Sequence, residues 1–144
     1  MKQEIRDEWV NALESGEYKQ TDMRLRDDEG KMCCLGVLCD LAAKAGVGEW
    51  RDVDGDWYFG SAAEFKALEG DGGDGYLPDA GVPPKSVRDW SGIPYAAMVK
   101  TSDPALALIS GAGTGRIHLT TLNDRARYSF NQIAAEIRKQ DPIA

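Results

Sequence analysis

The stretch GKMCCLGVLCDLAAKAG, residues 30–46, constrains the fold more than any other. From Leu35 onward Leu38, Leu41, Ala42 and Ala45 recur at helical spacing and Gly46 supplies a stop, so the pattern predicts a buried helix over 35–45. Gly36 falls in its first turn, where a missing side chain permits close backbone approach and costs less than in mid-helix. The run holds all three cysteines of the chain, Cys33, Cys34 and Cys39. Cys33 and Cys34 lie where an extended segment enters the helix, among apolar neighbours, and reduced cysteine in that setting behaves as a small hydrophobe.

Around this helix the pattern calls for an α+β architecture. Ile5, Trp9 and Leu13, widened by Val10 and Ala12, predict an amphipathic helix over 4–15 that Gly16 ends. TDMRLRD and GKMCC flank the turn-forming DDEG and predict a hairpin, with Met23 and Leu25 on one side of its first strand and Met32 and Cys34 on one side of its second. EWRDVDGDWYFG, residues 49–60, predicts a second hairpin about Asp54 and Gly55, because Asp-Gly accepts the positive backbone angles of a tight turn. EGDGGDG, 69–75, reads as a flexible acidic loop. A proline-stiffened entry leads to a short helix near 84–91, ended by Gly92, and Asp103-Pro104 opens another over 103–110 that GAGTG breaks. RIHL reads as a strand. Thr120 or Thr121 is expected to cap a turn through LND, and Ser129 to cap a last helix carrying Phe130, Ile133, Ala134 and Ile137. The expectation is one domain over 1–144, with two short hairpins packed on three or four helices.

Charge narrows the partners. Of 24 acids and 17 bases, residues 49–79 hold nine acids and only Arg51 and Lys66 as bases, so the whole net charge of −7 sits in that segment. Nucleic-acid binding, which gathers Lys and Arg on one face, is disfavoured. No apolar run reaches the roughly 20 residues of a membrane span, and MKQEIRDEWV is too polar for a signal peptide, so a cytoplasmic protein that does not bind membranes is expected. Three cysteines within seven positions fit no disulfide framework, and His118, the single histidine, with this cluster fits no familiar zinc spacing. No metal or cofactor is expected.

Several constellations invite chemistry. Cys33 or Cys34 at a helix start, with His118 and then Asn123 or Asp124 downstream, has the chain order of a Cys-His-Asn/Asp nucleophile, which would make the protein a thiol-dependent hydrolase or transferase. Core packing is the simpler reading. Asp52, Asp54 and Asp56 start like a calcium loop, but Trp57 stands where glycine is required, and Ala63 where the bidentate acid belongs. GAGTGR offers backbone amides at Gly113 and Gly115 beside Arg116, and with Lys100, Arg125 and Arg127 it outlines a candidate phosphate site for a small nucleotide, without the Walker spacing. Asn123 and Asp124 suit the holding of loops through backbone hydrogen bonds. Asp52, Asp54, Asp56, Trp57, Tyr58 and Tyr76 combine carboxylates with large rings, a surface for a basic protein.

W.NALESGEY.Q (9–20), LRDDEGKMCCLGVLCDLA (25–42), VRDW.G (87–92) and LTTLND....SF.QIA..I (119–137) resemble a family of small uncharacterised proteins frequent in bacteriophage and prophage genomes. The acidic glycine-rich segment and His118 depart from the shared pattern. The resemblance implies a phage-related accessory protein and carries no biochemical role with it. By analogy with neighbouring phage genes, the expected function is binding of a host or competitor component, as in antagonism of host defence, through the acidic aromatic segment 49–79.

Overall fold

The computed structural model describes residues 1–69, 81–110 and 115–140. Helix α1 (Gln3–Glu14) buries Trp9, Val10 and Leu13, the stripe its apolar spacing demands. Helix α2 (Cys34–Lys44) is buried along Cys34–Cys39 and at Ala42, which makes it the centre of the molecule, with α1 packed on one side. Strands β1 (Glu49–Val53) and β2 (Asp56–Gly60) form an antiparallel hairpin. Its Asp54 and Gly55 both have positive φ, 54° and 90°, as the two-residue turn requires. Helix α3 (Ala62–Glu69) follows, then α4 (Lys85–Ser91), which also packs on α2. Strand β3 (Met98–Lys100), helix α5 (Pro104–Ser110) and strand β4 (Arg116–His118) come next, β3 pairing antiparallel with β4. Helix α6 (Leu119–Asp124) lies against α2, and α7 (Phe130–Arg138) against α1.

The fold is α+β: seven helices and two separate two-stranded sheets among the described residues. Buried side chains from both ends of the chain join in one cluster, from Trp9 through Cys34, Val37 and Leu38 to Leu122, Ile133 and Ile137. The ends are clamped: Arg6 Nη2 donates to Arg138 O (2.9 Å), Lys2 N to Ser91 O (2.8 Å), and Glu14 pairs with Arg138. Asp40 on α2 holds two neighbours, accepting from Tyr18 Oη at 2.6 Å and from Trp50 Nε1 at 3.2 Å. No described helix is long and apolar enough to cross a membrane.

The hairpin expected over 21–34 is replaced by a different path. Its turn forms, since Asp27 Oδ1 accepts from Glu29 N and Lys31 N and Asp27 N donates to Lys31 O. The flanking strands shrink to isolated bridges, Met32 pairing parallel with Gln20 and antiparallel with Arg26. Met23 is the reason: its φ of 64° breaks an extended run, and its side chain is 74% exposed while Leu25 is fully buried. The second sheet is instead β3–β4, whose strands flank α5. Helix α6 starts one residue earlier than Thr120, with His118 as an N-cap whose side chain does not cap the helix. Of the acidic loop expected at 69–75, Glu69 ends α3 and the remainder lies outside the described residues, as do Tyr76 and Gly113.

Candidate functional site

The residues that carry the sequence motifs meet at the start of α2. Cys34 N donates to Asn123 Oδ1 (3.2 Å), and the same oxygen accepts from Gln20 Nε2 (2.8 Å). Asn123 Nδ2 donates to Thr21 O (2.9 Å) and to Asp124 Oδ1 (2.8 Å), and Asp124 Oδ1 also accepts from Met23 N at 3.1 Å. On the far side, Trp9 Nε1 donates to Cys34 O at 2.8 Å. Asn123, only 3% exposed, thus has all its amide atoms engaged, which is the condition for burying it at little cost. The network fixes the path of 20–23 and holds Met23 in its left-handed conformation.

The thiols stand behind this network. Cys33 and Cys34 are buried at 3% and 0% exposure, and Cys34 Sγ lies 3.7 Å from Leu119 O. Burial pushes the Cys33 thiol up to about 11, and raises Cys34 and Cys39 well above the ordinary thiol value. His118 is exposed, its Nδ1 2.7 Å from Ala96 O. The structure therefore does not assemble the Cys33/Cys34–His118–Asp124 constellation. The sulfurs face the core where a thiolate is disfavoured, the imidazole faces solvent, and Asp124 serves the backbone of Met23.

The acidic hairpin is placed at the surface. Asp52, Asp54 and Asp56 are exposed, and Asp52 Oδ1 accepts from Gly55 N (3.0 Å) to close the turn. Among the described residues no three His, Cys, Asp or Glu side chains converge as a metal set. The rings are less free than their composition suggests. Phe59 is buried against Trp50, centroids 5.1 Å apart, and the Arg26 guanidinium lies 3.9 Å from the centroid of Trp57. Trp57 and Tyr58 are half-buried. Met23, Arg24, Arg26, Asp56 and Trp57 line a groove of about 140 Å³, with Arg24 Nη1 4.0 Å from Asp56 Oδ1. Met23, Arg24 and Arg26 escaped the sequence reading, because nothing local in TDMRLRD announces that Asn123 and Asp124 will turn Met23 outward.

The candidate phosphate residues are divided. Lys100, Gly115 and Arg116 line one cleft, joined by Lys139 and Gln140, which no local motif marks. Arg127 lines a second hollow with Gln20, Asp22, Lys31 and Asn123, which meets the first cleft at Tyr128. Arg125 is the exposed C-cap of α6 and lines neither. The separation follows from α6, which carries 125–127 away from the β4 residue Arg116.

Fold and site together define a small α+β domain whose cysteines are core residues and whose polar motif residues hold its surface loops in place. The chain belongs to the family described as Domain of unknown function (DUF8296), whose model matches residues 1–141. No curated protein and no solved structure matches it.

Proposed function

We propose that the protein is an accessory binding protein, phage-related as its motifs resemble, that acts in the host cytoplasm by engaging a basic host or competitor protein through the β1–β2 hairpin and the adjoining Met23 loop. One observation carries this reading. Met23 projects 74% exposed from a left-handed backbone, beside half-buried Trp57 and the carboxylate of Asp56. A solvent-facing methionine costs apolar exposure and a non-glycine residue at positive φ costs strain, so the network that enforces both spends stability on presenting that side chain. Methionine, tryptophan and arginine are residue types enriched where proteins dock. The flanking Asp52, Asp54 and Asp56 supply the potential that draws a Lys- and Arg-bearing surface, speeds encounter and makes the association salt-sensitive.

The test is a pull-down from host lysate at low and high salt with three baits: the native chain, Met23→Ala, and the triple variant D52N/D54N/D56N. The reading expects a prey held by the native chain that both variants lose and that high salt releases. Recovery of every prey equally by all three baits refutes it.

A further inference from the structure

The cleft beside β3–β4 is built around an unusual pairing. In the register of this sheet Lys100 stands directly opposite Arg116, and Val99 opposite Ile117. Val99 and Ile117 are buried, so the alternation of a strand turns Lys100 and Arg116 together to the exposed face. Like charges directly opposite one another oppose strand pairing, and this sheet is only three residues long on each side. Among the described residues no carboxylate comes within ion-pairing distance of either cation. The two acids of the cleft are engaged elsewhere: Glu136 pairs with Lys139 at 2.9 Å, and Asp103 Oδ1 accepts from Ala105 N at 2.9 Å.

The wall behind the pair is rigid. Gln140, 7% exposed, uses its side-chain amide like a third strand, its Oε1 accepting from Lys100 N (2.9 Å) and its Nε2 donating to Lys100 O (3.2 Å). Thr101 N donates to Gly115 O at 2.8 Å and extends the ladder on the other side. The cleft is open to solvent and has a volume of about 750 Å³, within the range of sites for small organic ligands, and half-buried Tyr128 forms part of its lining. In a chain of net charge −7, two adjacent cations with no carboxylate partner among the described residues, at the edge of such a cleft, are a focus of positive potential.

We infer that this cleft binds a phosphorylated small molecule of nucleotide size, its phosphate held jointly by Lys100 and Arg116. The repulsion between the two cations is relieved when an anion bridges them, so the same pair that weakens the empty sheet strengthens the occupied one. This site is distinct from the hairpin surface, and neither reading depends on the other.

The experiment is thermal melting of the full chain in low-salt, magnesium-free buffer with ATP, GTP, CTP, UTP or inorganic pyrophosphate, on the native protein, Lys100→Gln and Arg116→Gln. Without ligand both variants are expected to melt at or above the native temperature, because each removes a like-charge contact. With ligand, at least one nucleoside triphosphate should raise the native melting temperature in a dose-dependent way. Each variant should need on the order of tenfold more ligand for the same rise, the scale of one lost charge-assisted hydrogen bond. Absence of any rise with the four triphosphates, an equal response of the variants, or a rise with pyrophosphate alone overturns the assignment.

Discussion

Replacing Gly36 by alanine sets two rules against each other and the structure decides between them. Helix propensity alone favours the change by about 1 kcal/mol, since glycine is the poorer helix former. The fold opposes it. A Cβ at Gly36 would lie 1.9 Å from Leu25 O, 2.8 Å from Leu25 C and 3.1 Å from Met32 Cβ. Ordinary contact begins near 3.4 Å, so about 1.5 Å of separation must be found from a backbone carbonyl rather than from a flexible side chain. Leu25 has little room to retreat, because its side chain is fully buried and its carbonyl accepts from Cys33 N at 3.2 Å. Overpacking costs about 1–3 kcal/mol, and orphaning the Cys33 amide a further 1–3 kcal/mol. After the propensity gain the net loss is about 1–5 kcal/mol, centred near 3 kcal/mol. With a slope of about 2 kcal/mol/M, a loss of about 3 kcal/mol should lower the urea midpoint by about 1.5 M. Gly46→Ala is the comparison: nothing lies within 4 Å of that site, but its φ is +78°, so it should lose only about 1 kcal/mol, from the left-handed conformation alone. A Gly36→Ala midpoint at or above the native value would show that the Leu25 carbonyl does not sit over the first turn of α2.

Asn123→Asp removes the two donors that serve Thr21 O and Asp124 Oδ1 and sets a second carboxylate beside Asp124, so a loss of about 3 kcal/mol or more is expected in urea unfolding. Amide exchange at Met23, whose N–H bonds to Asp124, should speed up in the same variant. Ser129→Ala breaks the reciprocal capping of α7, in which Ser129 Oγ accepts from Gln132 N (3.2 Å) and Gln132 Oε1 from Ser129 N (2.9 Å), and should lower stability by about 1 kcal/mol. Iodoacetamide should label the native thiols at pH 8 only as fast as the protein opens, whereas urea-unfolded chain labels at once. Because the folded Cys33 thiol titrates near 11 against an ordinary value of 9.0, its contribution to stability is whole below pH 9 and is lost as pH rises toward 11. Cys33→Ala should flatten that part of the pH profile, and an equally steep decline in the variant refutes the assignment.

Elements specified by local chemistry were legible in the sequence. The Asp54-Gly55 turn, the apolar stripe of α1, and Ser129 three residues before Gln132 each need only their neighbours, and each forms where the pattern puts it. Helix α3 was equally readable. Its SAAE start is a capping box, with Ser61 N donating to Glu64 Oε1 (2.8 Å) and Glu64 N to Ser61 Oγ (3.1 Å). Residues 20–32 were not legible, because their course is decided by Asn123 and Asp124 about a hundred positions away, against a local alternation that favours strands. Strand β3 is three residues long and has no period to read. Of the site, the exposed aspartates could be found from composition. The face-to-face cations Lys100 and Arg116 could not, since their opposition is a matter of register, and Gln140 joins them only through backbone bonds of its side chain.

Both peptide groups flanking the first turn of α2 are claimed from afar, Cys34 N–H by Asn123 and Cys34 C=O by Trp9. During synthesis the first of these partners is made 89 residues after Cys34, a delay on the order of 5–20 s at 5–20 residues per second. For that interval the nascent chain carries its oiliest segment, with all three sulfurs, without its closing clasp. A ribosome stalled before residue 119 would therefore display chemically reactive thiols that the released protein conceals.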